Sequence, residues 1–206
     1  MRHFGDVLFQ GAVLEEQEKR GSREAYAKMT AQPAPAGLAE RETSFIASRD
    51  SFYLASVSAD GWPYVQHRGG PEGFLKVIDS DTLAFGDYRG NKQYVSTGHF
   101  AANDRAALFL MDYPNKRRLK ILAHATVLDA AENENLADRI STEGEGRIER
   151  VFTLRVDAFD WNCPQFITPR YTENEVGDAL APLHQEIESL QRENALLKEK
   201  LTALSS

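Results

Sequence analysis

Apolar and polar residues alternate with a period of two from Phe52, with Phe52, Leu54 and Ser56 on one side and Tyr53, Ala55 and Val57 on the other. This alternation predicts a half-buried strand, and Ala59-Asp60-Gly61 predicts the turn that returns the chain along 63–67. A second hairpin is expected where 74–78 and 83–85 flank Asp79-Ser80-Asp81. Segments 106–111, 118–128 and 150–159 read as three further strands, the middle one long enough to bend. Helical patterning is sparser. It predicts an exposed helix over 11–29 broken near Gly21-Ser22, and a short helix carrying Leu38, Phe45 and Ile46 on one side. It also predicts a helix over 91–100 and a polar helix over 132–140, which leads into a loop at 143–146. Pro33 and Pro35 make 31–37 a linker.

Six or seven mainly antiparallel strands predict a mainly β fold, a β-barrel with flanking helices, because closure removes exposed strand edges. The βαβ alternation of a Rossmann arrangement is missing from the pattern. The tail follows a different period. Leu180, Leu183, Ile187, Leu190, Asn194, Leu197, Leu201 and Leu204 fall on alternating three- and four-residue steps, the a and d positions of a heptad repeat. Asn194 takes an a position, while Glu193 at g and Lys198 at the next e have the spacing of an interchain ion pair in a parallel dimer. A single amphipathic helix packed on its own barrel is the alternative, and in either case Pro182 is expected in the first helical turn. Three regions result: an N-terminal helical segment at 1–44, a barrel at 45–172 and a C-terminal coil at 173–206.

Charge narrows the partners. The formal net charge of −7 opposes a nucleic-acid surface, and the basic cluster Lys116-Arg117-Arg118-Leu119-Lys120 reads first as a solvated strand edge. No apolar run approaches the roughly 20 residues of a membrane span, and the N-terminus lacks the apolar core of a signal peptide. With Cys163 alone, no intramolecular disulfide forms, so a cytoplasmic protein is expected.

Candidate chemistry lies between Gly61 and Tyr94. Glycine beside a cation lets backbone approach an anion, as at Arg68-Gly69-Gly70. Lys92 in the first turn of the expected helix opposes the helix dipole, a conflict that a bound phosphate resolves. His124 reads as structural, the five histidines lack metal-ligand spacing, and no partner histidine near Cys163 makes it a nucleophile.

The stretches "GWPYVQHRGG", "LKVID…TLAFGDYRGNKQYVSTG", "MDYPNKRRLKI" and "FDWNCPQFITPRY" together resemble the pyridoxamine-phosphate-oxidase-like FMN-binding split-barrel family, over about Phe45 to Tyr171. The resemblance implies an antiparallel split barrel that binds FMN and works as a homodimer. It implies that His67, Arg68 and Gly69 run beside the flavin ring and phosphate, and that Phe85, Gly86 and Asp87 approach the cofactor through backbone. Asn91, Lys92 and Gln93 would hold the phosphate, and Asn162, Cys163, Pro164 and Gln165 would complete the pocket, often from the second subunit. The implied activity is an FMN-dependent oxidoreductase using a reduced nicotinamide such as NAD(P)H or another small donor. A non-catalytic FMN-binding or redox-sensing dimer and an F420 deazaflavin binder are the alternatives. The leucine-rich coil replaces the Arg- and His-containing ending of the vitamin B6 oxidase itself, and His99-Phe100 stands where relatives carry Asn before an apolar residue. The resemblance therefore implies the cofactor and not the B6 substrate.

Overall fold

A computed structural model describes residues 1–206 except 91, 143–145, 162–163 and 205–206. The chain forms two compact units, Met1–Asp112 with Lys116–Phe166, and Tyr113–Asn115 with Ile167–Ser206.

The first unit opens with four short helices: α1 (Phe4–Leu8), α2 (Ala12–Lys19), α3 (Arg23–Thr30) and α4 (Glu40–Ala47). The break between α2 and α3 falls at Gly21, whose φ of 74° only glycine adopts freely, as the Gly-Ser pair predicts. No apolar period announces α1, and tertiary contacts hold this end: Arg2 N–H donates to the Asp157 carbonyl (2.8 Å) and its guanidinium pairs with the Asp157 carboxylate. In α4 the buried Glu42 caps its own helix by accepting from Ala39 N–H (3.1 Å) and also accepts from the Trp161 indole (2.7 Å).

The strands are β1 (Ser51–Val57), β2 (Pro63–Gly69), β3 (Lys76–Val77), β4 (Thr82–Tyr88), β5 (Arg105–Asp112), β6 (Arg117–Asp129) and β7 (Ile148–Trp161). They make one antiparallel sheet in the order β2-β1-β5-β6-β7-β4-β3. Both expected hairpins are present, with Ser51 opposite Gly69 in one and Val77 opposite Leu83 in the other. The register of β6 against β7 shifts between Leu122 and Ala123, where Asp157 is the extra residue on β7, and a bulge of this kind sharpens twist so that a sheet can curl. The barrel is split: the sheet order ends at β2 and at β3, and side chains bridge the gap. Phe52 of β1 stacks on Phe74 (5.5 Å) and meets Phe85 of β4 edge-on (5.4 Å). Inside, Phe52, Leu54, Phe85, Leu108, Ile121 and Phe152 are fully buried, each contributing about 1.5–3 kcal/mol from burial. A smaller cluster, with Ile140 of α6 (Glu134–Ile140) against Ile148 and Val151, caps one part of the sheet.

Two helix boundaries correct the sequence reading. The helix expected over 91–100 is α5, Val95–Ala102. It starts late because Lys92 (φ 61°) and Tyr94 (φ 52°) are left-handed and cannot continue a right-handed helix. Lys92 therefore stands in the loop before the helix, outside its first turn. In the second unit, α7 spans Glu173–Leu204 with Pro182 well inside it, not in its first turn. A capping box sets the earlier start: Thr172 Oγ1 accepts from Glu175 N–H (3.2 Å), and Glu175 Oε2 accepts from Thr172 N–H (2.7 Å).

Candidate functional site

Strand alternation places Tyr64, Gln66 and Arg68 of β2 on one face, half-buried, while His67 and Gly69 take the exposed face. Opposite them, Asp87 near the end of β4 and Arg150 near the start of β7 are paired directly by the register. The Asp87 carboxylate is consequently held by two arginines. Arg68 Nη1 donates to Oδ1 (2.8 Å), while Arg150 Nε and Nη2 both donate to Oδ2 (2.9 and 2.8 Å). Arg68 also lies over the rings of Phe85 (5.4 Å) and Phe152 (5.2 Å), so the barrel core forms its floor. Arg150 lies over the Tyr94 ring at 4.5 Å.

These groups line a cavity of about 270 Å³ with Lys92, Gln93 and the start of α5 at Val95, Ser96 and Thr97. Ser96 donates to Gln66 (3.0 Å), joining the helix to β2. Three cations, Arg68, Lys92 and Arg150, face one lining carboxylate, Asp87, which leaves the cavity electropositive. Burial works against the Arg150 charge, but the hydrogen bonds and attraction of Asp87 outweigh it, so the Arg150 pKa is raised above its ordinary value. Arg68 Nε is buried without a hydrogen-bond partner among the described residues, as are Arg49 Nε and Arg118 Nε elsewhere. The first N–H groups of any helix also lack internal acceptors, and they favour an anion. Left-handed Lys92 and Tyr94 each cost on the order of 1–2 kcal/mol, and strain of that kind clusters at binding sites. The donor set fits a phosphate.

Of the residues singled out from sequence, the structure brings Arg68, Asp87, Lys92 and Gln93 to this cavity. His67 is turned away against Tyr53 (5.7 Å, edge-on), and Gly69 shares its face. Phe85 is core, stacked on Phe152 at 4.9 Å. At Gly86 a Cβ would stand 2.7 Å from the end of the Ile148 side chain, which would have to shift to admit a larger residue. Pro164 and Gln165 are exposed and line no part of the cavity, while Asn91, Asn162 and Cys163 lie outside the described residues. Sequence reading missed Tyr64, Gln66, Tyr88, Tyr94, Ser96 and Arg150. The two-residue step back from Arg68 could have found Gln66 and Tyr64. Arg150 enters through strand register across more than sixty positions, and no local signal marks it.

A larger cavity of about 1100 Å³ shares Thr97 and Arg150 with the first and is lined by α5, the end of β6, the start of β7 and the loops beside them. Its arginines Arg89, Arg147 and Arg150 are balanced by Asp104, Asp129 and Glu149, so its lining charges cancel, whereas those of the smaller cavity do not.

The sequence model of the family described as pyridoxamine 5'-phosphate oxidase matches residues 38–158, more than half of the chain. The chain belongs to this family. The match spans nearly all of the split barrel and includes Arg68, Asp87 and Arg150 of the clamp. Among solved structures, HupZ from Group A Streptococcus superposes with a TM-score of 0.50 at 12% identity, covering 65% of this chain and 99% of its own. A structure described as a pyridoxamine 5'-phosphate oxidase from Lactobacillus delbrueckii is 23% identical over 60% of this chain and 93% of its own, with a TM-score of 0.47. An FMN-binding protein from Syntrophomonas wolfei is 12% identical over 73% of this chain and 97% of its own, also with a TM-score of 0.47. No curated protein matches the chain. The tail at 173–204 lies beyond the family match.

Proposed function

We propose that this member of the pyridoxamine 5'-phosphate oxidase family is an FMN-binding flavoprotein and an oxidoreductase, acting as a homodimer. It would pass hydride or electrons between a reduced nicotinamide, NAD(P)H, or another small donor and an acceptor still to be identified. The observation that carries this reading is the arginine pair fixed on Asp87, with Lys92 beside it at the head of α5. Bound FMN would supply the redox chemistry. Asp87 holds both guanidiniums in place, so that Arg68 Nε and the loop before α5 are set for a phosphate. Gln66 and Ser96, bonded to each other, offer polar contact for the sugar-alcohol chain. By family resemblance, His67, Gly69, Phe85, Gly86 and Asn91 flank the cofactor, and Asn162, Cys163, Pro164 and Gln165 reach it from the second subunit. Neither a nucleic acid nor a membrane is a partner in this reading, and a cytoplasmic location accompanies it.

Mass measurement of the pigment released from purified protein tests the cofactor. FMN at about one per subunit is expected, and a deazaflavin would replace this reading with the F420 one. Anaerobic addition of NADH or NADPH then tests the enzyme. Bleaching followed by recovery with an added acceptor supports an oxidoreductase, and an unchanged flavin spectrum leaves a binding or redox-sensing dimer.

A further inference from the structure

Helix α7 buries none of its residues. Its seam residues, Leu180, Leu183, Ile187, Leu190, Leu197, Leu201 and Leu204, are between 40% and 86% exposed, and of the large apolar side chains after Pro182 only Leu196 falls off the seam. A lone helix with this much apolar surface in water is marginal, because helices in proteins owe most of their stability to a packed apolar face. The heptad pattern says what can cover it. We infer that α7 is one strand of a parallel, in-register, two-stranded coiled coil formed by two copies of this chain.

Three features select that partner. In a parallel in-register pair the two Asn194 side chains meet across one a layer and can hydrogen-bond to each other. Any stagger, or an antiparallel pair, sets that amide against an apolar side chain and leaves it unpaired, at a cost of about 1–3 kcal/mol. Glu193 at g faces the partner's e position, where Lys198 stands, so each interface carries this attraction twice by symmetry. Pro182 takes a c position, which faces solvent in such a coil, so its ring does not obstruct the seam. The proline removes the hydrogen bond to the carbonyl four residues back, at Asp178, and Gly177 just before it also weakens the helix. The coil proper therefore runs from Leu183 to Leu204, a length of about 33 Å at 1.5 Å per residue. This inference does not depend on the cofactor.

Oxidative cross-linking of the full chain tests it. In a Cys163→Ser background, Leu197→Cys should form a disulfide-linked dimer in high yield at low micromolar protein. Adding Leu190→Lys should abolish that cross-link while the barrel's thermal transition stays in place, which separates loss of the coil from loss of folding. An equimolar mixture of Leu183→Cys and Leu204→Cys chains should give only the two homodimers. A heterodimer linking 183 to 204 would show an antiparallel pair and overturn the proposal, as would failure of Leu197→Cys to cross-link. Asn194→Leu should broaden the distribution in sedimentation velocity toward higher oligomers, and an unchanged dimer would remove the register role assigned to that amide.

Discussion

The barrel and the tail carry equally regular apolar patterns, and they end in opposite states. In the barrel, Phe52, Leu54, Phe85 and Phe152 are at most 1% exposed, because other strands of the same chain cover them. In α7 the apolar positions are just as periodic, yet the helix buries nothing. Periodicity states which residues share a face. It does not state what covers that face, which depends on whether the chain supplies a second surface of matching shape.

The largest effect expected from this contrast is on stability. Phe85 touches Phe52 and Phe152 at ring distances of 5.4 and 4.9 Å, so Phe85→Ala should cost about 3–5 kcal/mol in denaturant unfolding. Leu190→Ala should leave the barrel's unfolding transition where it is, since the helix that carries it buries none of its residues. Equal shifts from the two variants would erase the distinction.

The next effect is on ligand retention. Arg68→Ala removes one arm of the Asp87 clamp together with the unpaired Nε, and Lys92→Ala removes a second cation. A hydrogen bond to a charged group is worth about 1.5–3 kcal/mol, so each variant should weaken FMN binding by roughly 10- to 150-fold. Fluorescence titration of released and re-added flavin measures this. Unchanged affinity in both variants would remove the cavity from consideration.

The fold was legible because its strands declare themselves locally: a period of two in β1, turn residues at Asp79-Ser80-Asp81 and at Gly61, and a long apolar run in β6. The site was half legible. Arg68, Asp87 and Lys92 lie in one continuous stretch that sequence reading can isolate, whereas Arg150 joins them only through strand register. The start of α5 was misplaced because lysine and tyrosine seldom adopt a left-handed backbone, so neither Lys92 nor Tyr94 reads as a helix stop. Pro182 was expected in the first turn of α7, but the capping box at Thr172-x-x-Glu175 starts the helix at Glu173, the bound read for the tail, and leaves the proline inside it.

That box gives a third, local effect. Thr172→Ala should cost about 1 kcal/mol of helix stability, confined to the first turn of α7. Amide exchange at 174–176 should quicken about fivefold, with the barrel amides unchanged. Uniform acceleration through the whole helix would mean that the first turn and the seam melt as one unit.

The smallest effect sits at the other end of the chain and depends on pH. Asp157 accepts hydrogen bonds from the Arg2 guanidinium, and that contact, opposed by partial burial and assisted by the charges of Arg2, His124 and Arg155, holds its pKa below the ordinary carboxylate value. A carboxylate with a depressed native pKa stabilises the fold at every pH above its unfolded value of about 3.9 and loses that contribution as pH falls through the native value. The melting difference between wild type and Asp157→Asn should therefore stay constant from neutral pH down to about 4, then close below it. His124 lies beside the same carboxylate, 3.9 Å from Asp157 and 2.9 Å from Asp104. A melting difference that stays open well below about pH 4 would detach the stability of this terminus from the ionised Arg2–Asp157 pair.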